Sequence, residues 1–190
     1  MEEQFETLRG RAAQKHIVGK AREVADRVRS TLGPLGFDKM LVDKMGEHLV
    51  TNDGATILRK GADRDPVARI VAQVAKAQEE SVFDGTTSTV ILLGELLHQA
   101  DLLIDRGVQP NSITRGYRKA LEIATETAKK NASAADTPYD AAKKVAQTAI
   151  TGKSAEAYIE VLSDICARAA EAATPDNIKL IGRPGDPKDA

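Results

Sequence analysis

Residues 83–104, FDGTTSTVILLGELLHQADLLI, decide the fold class. Their apolar part runs from Val90-Ile91-Leu92-Leu93 through Leu96, Leu97, Leu102, Leu103 and Ile104. That run is too long for a strand and predicts a central buried helix. Gly107 and Pro110 end it, and Asn111 or Ser112 can cap the next helix, whose stripe is Ile113, Tyr117, Ala120, Leu121, Ala124 and Ala128. Upstream, Asp65-Pro66 supplies a cap and a proline at the first helical position, followed by a stripe of Val67, Ile70, Val71, Val74 and Ala75. Residues 16–29 carry another stripe, Ile17, Val18, Ala21, Val24, Ala25 and Val28, which stops before Gly33-Pro34.

Between these helices, Met40-Leu41-Val42 and His48-Leu49-Val50-Thr51 flank Asp43-Lys44-Met45-Gly46-Glu47 and read as a hairpin. Downstream, helices are predicted over 138–149 and 154–173, hinged at Thr151-Gly152, and 177–181 read as a short strand running into a Gly/Pro-rich tail. The reading is mainly α with one small hairpin. Composition agrees, because 29 alanines and 3% aromatic residues suit closely packed helices better than a sheet sandwich.

The chain has 190 residues, enough for one domain or slightly more with a core that needs no disulfide or metal. Its 27 basic and 28 acidic side chains give a net charge of −1, so overall charge offers no reason to expect nucleic acid or an anionic membrane as partner. No stretch approaches the eighteen or so apolar residues of a membrane span, and MEEQFETLRGRAAQ at the start has no apolar leader. These features predict a cytoplasmic protein. The lone Cys166 forms no disulfide framework and shares an apolar stripe with Ile159, Leu162 and Ile165, which predicts a core position.

Three breaks between helices combine glycine with hydroxyls or acids: Thr31-Leu32-Gly33-Pro34-Leu35-Gly36, Thr51-Asn52-Asp53-Gly54-Ala55-Thr56 and Asp84-Gly85-Thr86-Thr87-Ser88. Each taken alone can be an ordinary turn, cap or helix stop. Together they look like parts of one anion and metal site. Glycine lets backbone approach a phosphate, hydroxyls donate to its oxygens, and a helix start presents unpaired N–H groups with the positive end of the dipole. One carboxylate, Asp84, beside such a start is the usual protein contribution to a Mg²⁺ otherwise held by phosphate and water.

Gly152-Lys153-Ser154 spells the end of a Walker A pattern, but Gln147 stands where its first glycine belongs and the preceding residues read as helix, so that reading fails. His16, His48 and His98 lack the spacing of a zinc helix and read as surface or packing residues.

At these same residues the chain resembles the group II chaperonins, the archaeal thermosome and eukaryotic cytosolic type. The matching strings are TLGPLGFDKMLVD (31–43), TNDGATIL (51–58), FDGTTSTV (83–90) and TAITGK (148–153), in family order and spacing. The resemblance implies an equatorial ATP-binding domain over 1–148, a helical bundle with a small hairpin, then the start of a mixed α/β intermediate domain over 149–190. It implies ATP or ADP with Mg²⁺ as cofactors. Leu32, Gly33, Pro34 and Gly36 would line the nucleotide, and Gly85, Thr86, Thr87 and Ser88 would cradle the β- and γ-phosphates. Asp84 would hold Mg²⁺, Asp53 would help place the attacking water with Gly54 beside it, and Lys153 would approach the γ-phosphate.

The resemblance further implies a homo- or hetero-oligomeric double ring, with the hairpin pairing to a neighbouring subunit, and unfolded client proteins bound through an apical domain. Leu35 departs from the lysine common after Gly-Pro in the family. The apical domain, the returning intermediate segment with a second catalytic aspartate and the C-terminal equatorial helices lie outside these 190 residues, so this chain alone is expected to hydrolyse ATP poorly or not at all. The competing expectation is a stand-alone helical assembly module in which nucleotide binding is vestigial.

Overall fold

The computed structural model describes residues 7–61, 65–181 and 184–185. The chain forms two compact units, Met1–Thr127 and Ala128–Ala190, whose boundary falls inside a helix.

In the first unit, α1 (Gly10–Arg29) leads into the strands β1 (Lys39–Val42) and β2 (His48–Thr51), then α2 (Gly54–Lys60), α3 (Pro66–Val82), α4 (Thr86–Asp105) and α5 (Pro110–Asn131), the last crossing the boundary. The strands pair antiparallel in the register Lys39↔Thr51 to Val42↔His48, which forms the predicted hairpin. Their turn closes because the Asp43 carboxylate accepts from the Met45 and Glu47 amides at 2.8 and 3.0 Å while Gly46 adopts φ +84°.

The core is built from Ala21, Val24, Ala25 and Val28 of α1, Ile57 and Leu58 of α2, Ala68, Val71 and Ala75 of α3, and Val90 of α4. Such small side chains let helix axes come close. Gly94 takes this furthest, since a Cβ there would lie 2.6 Å from that of Ala25. Ion pairs flank the α1–α4 contact: the Arg11 guanidinium lies 2.6 Å from an Asp101 carboxylate oxygen and 2.7 Å from one of Asp105. The Asp65-Pro66 cap forms as predicted, with Asp65 accepting from the Val67 and Ala68 amides. Burial works to raise the Asp65 pKa, but those two amides, with His16 and Lys20 nearby, outweigh it and hold the carboxyl below its ordinary value.

The second unit pairs α6 (Pro138–Ile150) with α7 (Ile159–Ala172), burying Ser163 and Ala167. The Tyr139 hydroxyl donates to Asp164, and Glu160 receives Gln147 at 3.1 Å and Lys143 at 3.4 Å. Thr137 caps α6 by accepting from the Asp140 amide while its hydroxyl donates to the Asp140 carboxylate, and Gly152 (φ +75°) turns the chain between the helices.

Five expectations need correction. Helix α4 is a helix but not a buried one: Val90 and Gly94 are its buried residues, whereas Leu92 is 60% exposed, because its apolar residues surround the helix and α1 and α3 cover one side. Helix α1 starts six residues before the predicted stripe, at Gly10. Helix α5 starts at Pro110, so Asn111 and Ser112 lie inside its first turn rather than capping it. Cys166 is exposed, because α7 turns its small residues, not the Cys166 side, toward its neighbours. Residues 178–181 form no strand, and Asn177 ends a 3-10 turn; the described residues offer no partner strand. Most of the Gly/Pro-rich tail lies outside the described residues.

Candidate functional site

The first glycine-bearing loop follows α1 and closes on itself. Its Gly36 amide donates to the Gly33 carbonyl at 3.0 Å and Phe37 donates to Ser30 at 2.8 Å, while the buried Thr31 hydroxyl bonds the Val28 carbonyl at 2.8 Å. Gly33 sits at φ +85°, a conformation that disfavours any side chain. A Cβ on Gly36 would overlap the Thr31 carbonyl. Leu32 and Leu35 are exposed, Leu35 at 90%. Among the described residues, no hydrogen bond joins this loop to the other two.

The second segment folds into a helix that periodicity did not reveal. Seven residues, Gly54–Lys60, are too few to show a stripe, but Asp53 caps them: its Oδ2 accepts from the Thr56 amide at 2.8 Å. The Asp53 amide in turn donates to the Thr51 hydroxyl at 3.1 Å, which ties the cap to the end of β2. Asp53 therefore has a structural duty on one oxygen, and its Oδ1 has no protein partner among the described residues.

The third segment links α3 to α4 through Phe83, Asp84 and Gly85. Phe83 and Gly85 are both left-handed, at φ 57° and 77°. Asp84 does not act as an ordinary cap, because its Oδ1 accepts from the adjacent Gly85 amide at 2.7 Å rather than from the first turn of α4. Helix α4 has no side-chain cap, so the first-turn amides of its 20 residues keep their dipole unanswered by the protein. A neighbour that sequence reasoning missed, Gln78 of α3, donates from Nε2 to the Asp84 carbonyl at 3.0 Å. Nothing in a helical stripe marks a half-buried glutamine six residues upstream.

The fold brings the second and third segments together. Gly54, buried at the start of α2, faces Thr87 in the first turn of α4 so closely that a Cβ on Gly54 would overlap the Thr87 hydroxyl and lie 3.3 Å from the Thr87 Cβ. Two helix starts thus meet at a glycine–threonine contact, with Asp53 and Asp84 one and three residues away along the chain. Lys153 belongs to the second unit, in the turn after α6, where its amide donates to Ile150 at 3.1 Å.

No group of three or more His, Cys, Asp or Glu stands ready to hold a metal among the described residues. A lone exposed carboxylate beside uncapped amides suits a cation that brings its own oxygen ligands, as Mg²⁺ on a polyphosphate does, and does not suit a closed protein cage. No helix among the described residues is long and apolar enough to cross a membrane.

A model of the TCP-1/cpn60 chaperonin family matches residues 24–183. The chain is 47% identical over 169 residues to a thermosome subunit of Methanopyrus kandleri, covering 88% of this chain and 31% of that protein. It is 42% identical to thermosome subunit alpha of Archaeoglobus fulgidus, covering 93% of this chain and 34% of the relative. To thermosome subunit beta of the same organism it is 46% identical, covering 84% and 30%. The chain spans about a third of the length of the curated relatives it matches.

Proposed function

Because this chain belongs to the TCP-1/cpn60 chaperonin family, on its thermosome-like, group II side, we propose that it supplies the nucleotide-binding part of an ATP-dependent folding chaperone. In this reading residues 1–148 are equatorial domain and 149–190 open the intermediate domain. The subunit stands in a cytoplasmic double ring of like subunits, and unfolded clients bind an apical domain. The exposed apolar residues Leu92, Leu121 and Ile123 of α4 and α5 then face the remaining equatorial helices.

One observation supports the nucleotide site most directly: the Gly54–Thr87 contact sets two helix starts side by side. In-line attack on a phosphate needs positioning and charge neutralisation more than covalent chemistry from the protein. The amides and hydroxyls of Gly85, Thr86, Thr87 and Ser88 bind the β- and γ-phosphates of ATP or ADP at the positive end of α4. Asp84 holds Mg²⁺, which when bound supplies charge neutralisation on those phosphates. Asp53 uses Oδ2 to keep α2 capped and Oδ1 to orient the incoming water, and Gly54 lets the start of α2 sit against Thr87, which keeps Asp53 near the phosphates. Leu32, Gly33, Pro34 and Gly36 line the nucleotide through backbone.

The test is calorimetric titration with ADP, with and without Mg²⁺. Magnesium-dependent binding that Asp84→Ala removes supports the site, and unchanged binding by Asp84→Ala rejects it. Turnover is a separate measurement: the 190-residue chain is expected to hydrolyse ATP poorly, and ordinary turnover lost on Asp53→Ala would overturn that expectation.

A further inference from the structure

Gln78 lies half-buried in α3, where no sequence pattern singles it out. Its Nε2 donates to the Asp84 carbonyl at 3.0 Å, and a Cβ built on Gly85 would come within 3.2 Å of the same nitrogen. The link it touches has three residues, two of them left-handed. Phe83 is not a glycine, so its φ of 57° persists only where surrounding bonds over-determine the backbone. The Phe83 amide supplies one such bond, to the Glu79 carbonyl at 2.8 Å, and the Asp84 carboxylate supplies another, to Gly85. Both of those act within four residues. The Gln78 amide is the bond that reaches from the body of α3 to the middle of the link, fixing the peptide plane between Asp84 and Gly85.

We propose that Gln78 is a positioning residue for the site: by donating to the Asp84 carbonyl it keeps the Asp84 carboxylate beside the uncapped first turn of α4. The proposal rests on the nucleotide reading above. In the absence of the Gln78 bond, rotation of the Asp84–Gly85 peptide would turn the Gly85 amide away from the Asp84 carboxylate and release the bond that orients it, so one side chain sets the geometry of both.

The test uses the whole chain as native protein, Gln78→Leu and Gln78→Glu. Amide exchange is read at Phe83 and Thr89, whose amides bond Glu79 and Gly85 on either side of the link, with Thr31 as a remote control. Gln78→Leu is expected to lower protection at Phe83 and Thr89 about five-fold, the size of one modest hydrogen bond, and to leave Thr31 unchanged. Gln78→Glu, of nearly the same shape, is expected to match that loss at pH 7, where a carboxylate cannot donate.

Protection within two-fold of native in Gln78→Leu overturns the proposal. Loss in Gln78→Leu with native protection in Gln78→Glu assigns Gln78 to packing and also overturns it. In Mg²⁺–ADP calorimetry, Gln78→Leu is expected to weaken binding about five-fold, and native affinity in that variant counts against the proposal. If native protein shows no magnesium-dependent ADP binding, the nucleotide reading fails instead, and the exchange measurement alone decides whether Gln78 holds the link.

Discussion

Gly54→Ala tests whether the two helix starts truly depend on each other. At the first position of a helix, and with no left-handed φ to protect, alanine in place of glycine would normally stabilise by about 0.5–1 kcal/mol through helix propensity and a less flexible unfolded chain. Here the added Cβ overlaps the Thr87 hydroxyl, and forced overpacking of this kind costs about 1–3 kcal/mol. The clash is the larger effect, so a net loss of about 1–2 kcal/mol is expected.

Removing the obstacle should change the sign. In a Thr87→Ala background the nearest Thr87-position atoms left to the new Cβ are the Cβ at 3.3 Å and the Cα at 3.4 Å, close to ordinary contact. Gly54→Ala should then be neutral or stabilising. The four proteins of this double-mutant cycle, unfolded in urea and followed by circular dichroism, should show a coupling of about 1–2 kcal/mol. Equal effects of Gly54→Ala in the two backgrounds, within about 0.5 kcal/mol, would refute the reasoning and with it the contact that supports the nucleotide site.

Two further outcomes are expected. Phe83→Gly should stabilise the protein by about 0.5–1 kcal/mol in urea unfolding, because relief of the left-handed penalty exceeds the greater freedom glycine gives the unfolded chain and the ring is already 76% exposed. Asp65→Ala should cost about 1 kcal/mol at pH 7 as α3 loses its cap. Since the folded Asp65 carboxyl titrates below its unfolded value, the stabilisation it gives is complete above about pH 4 and disappears as pH falls through the folded pKa, so the gap between native and variant should close in that acidic range.

The predicted elements that formed are those whose signals lie within one or two turns of chain. Asp65-Pro66 caps α3 because the carboxylate reaches amides two and three residues on. The hairpin forms because Asp43 and Gly46 close its turn locally between two short β-prone runs. Helix α2 shows no period because its seven residues hold too few apolar positions, and its start is marked only by the Asp53 cap. Cys166 was misjudged because a stripe tells which residues share a face and not whether another helix covers it. The same limit made α4 look buried on all sides.

The sequence by itself determined the mainly α class, most helix positions, the presence of the hairpin and four family motifs in order, since each depends on backbone preference, capping or residue identity over a short span. Only the tertiary structure decided that Gly54 meets Thr87 across 33 positions of sequence, that Gln78 holds the Asp84 carbonyl, and that α4 keeps one side open. Those depend on how helices of alanine and valine settle against one another. Contact between chain segments is set by the shapes of all the packed side chains at once, which no single stretch of sequence encodes.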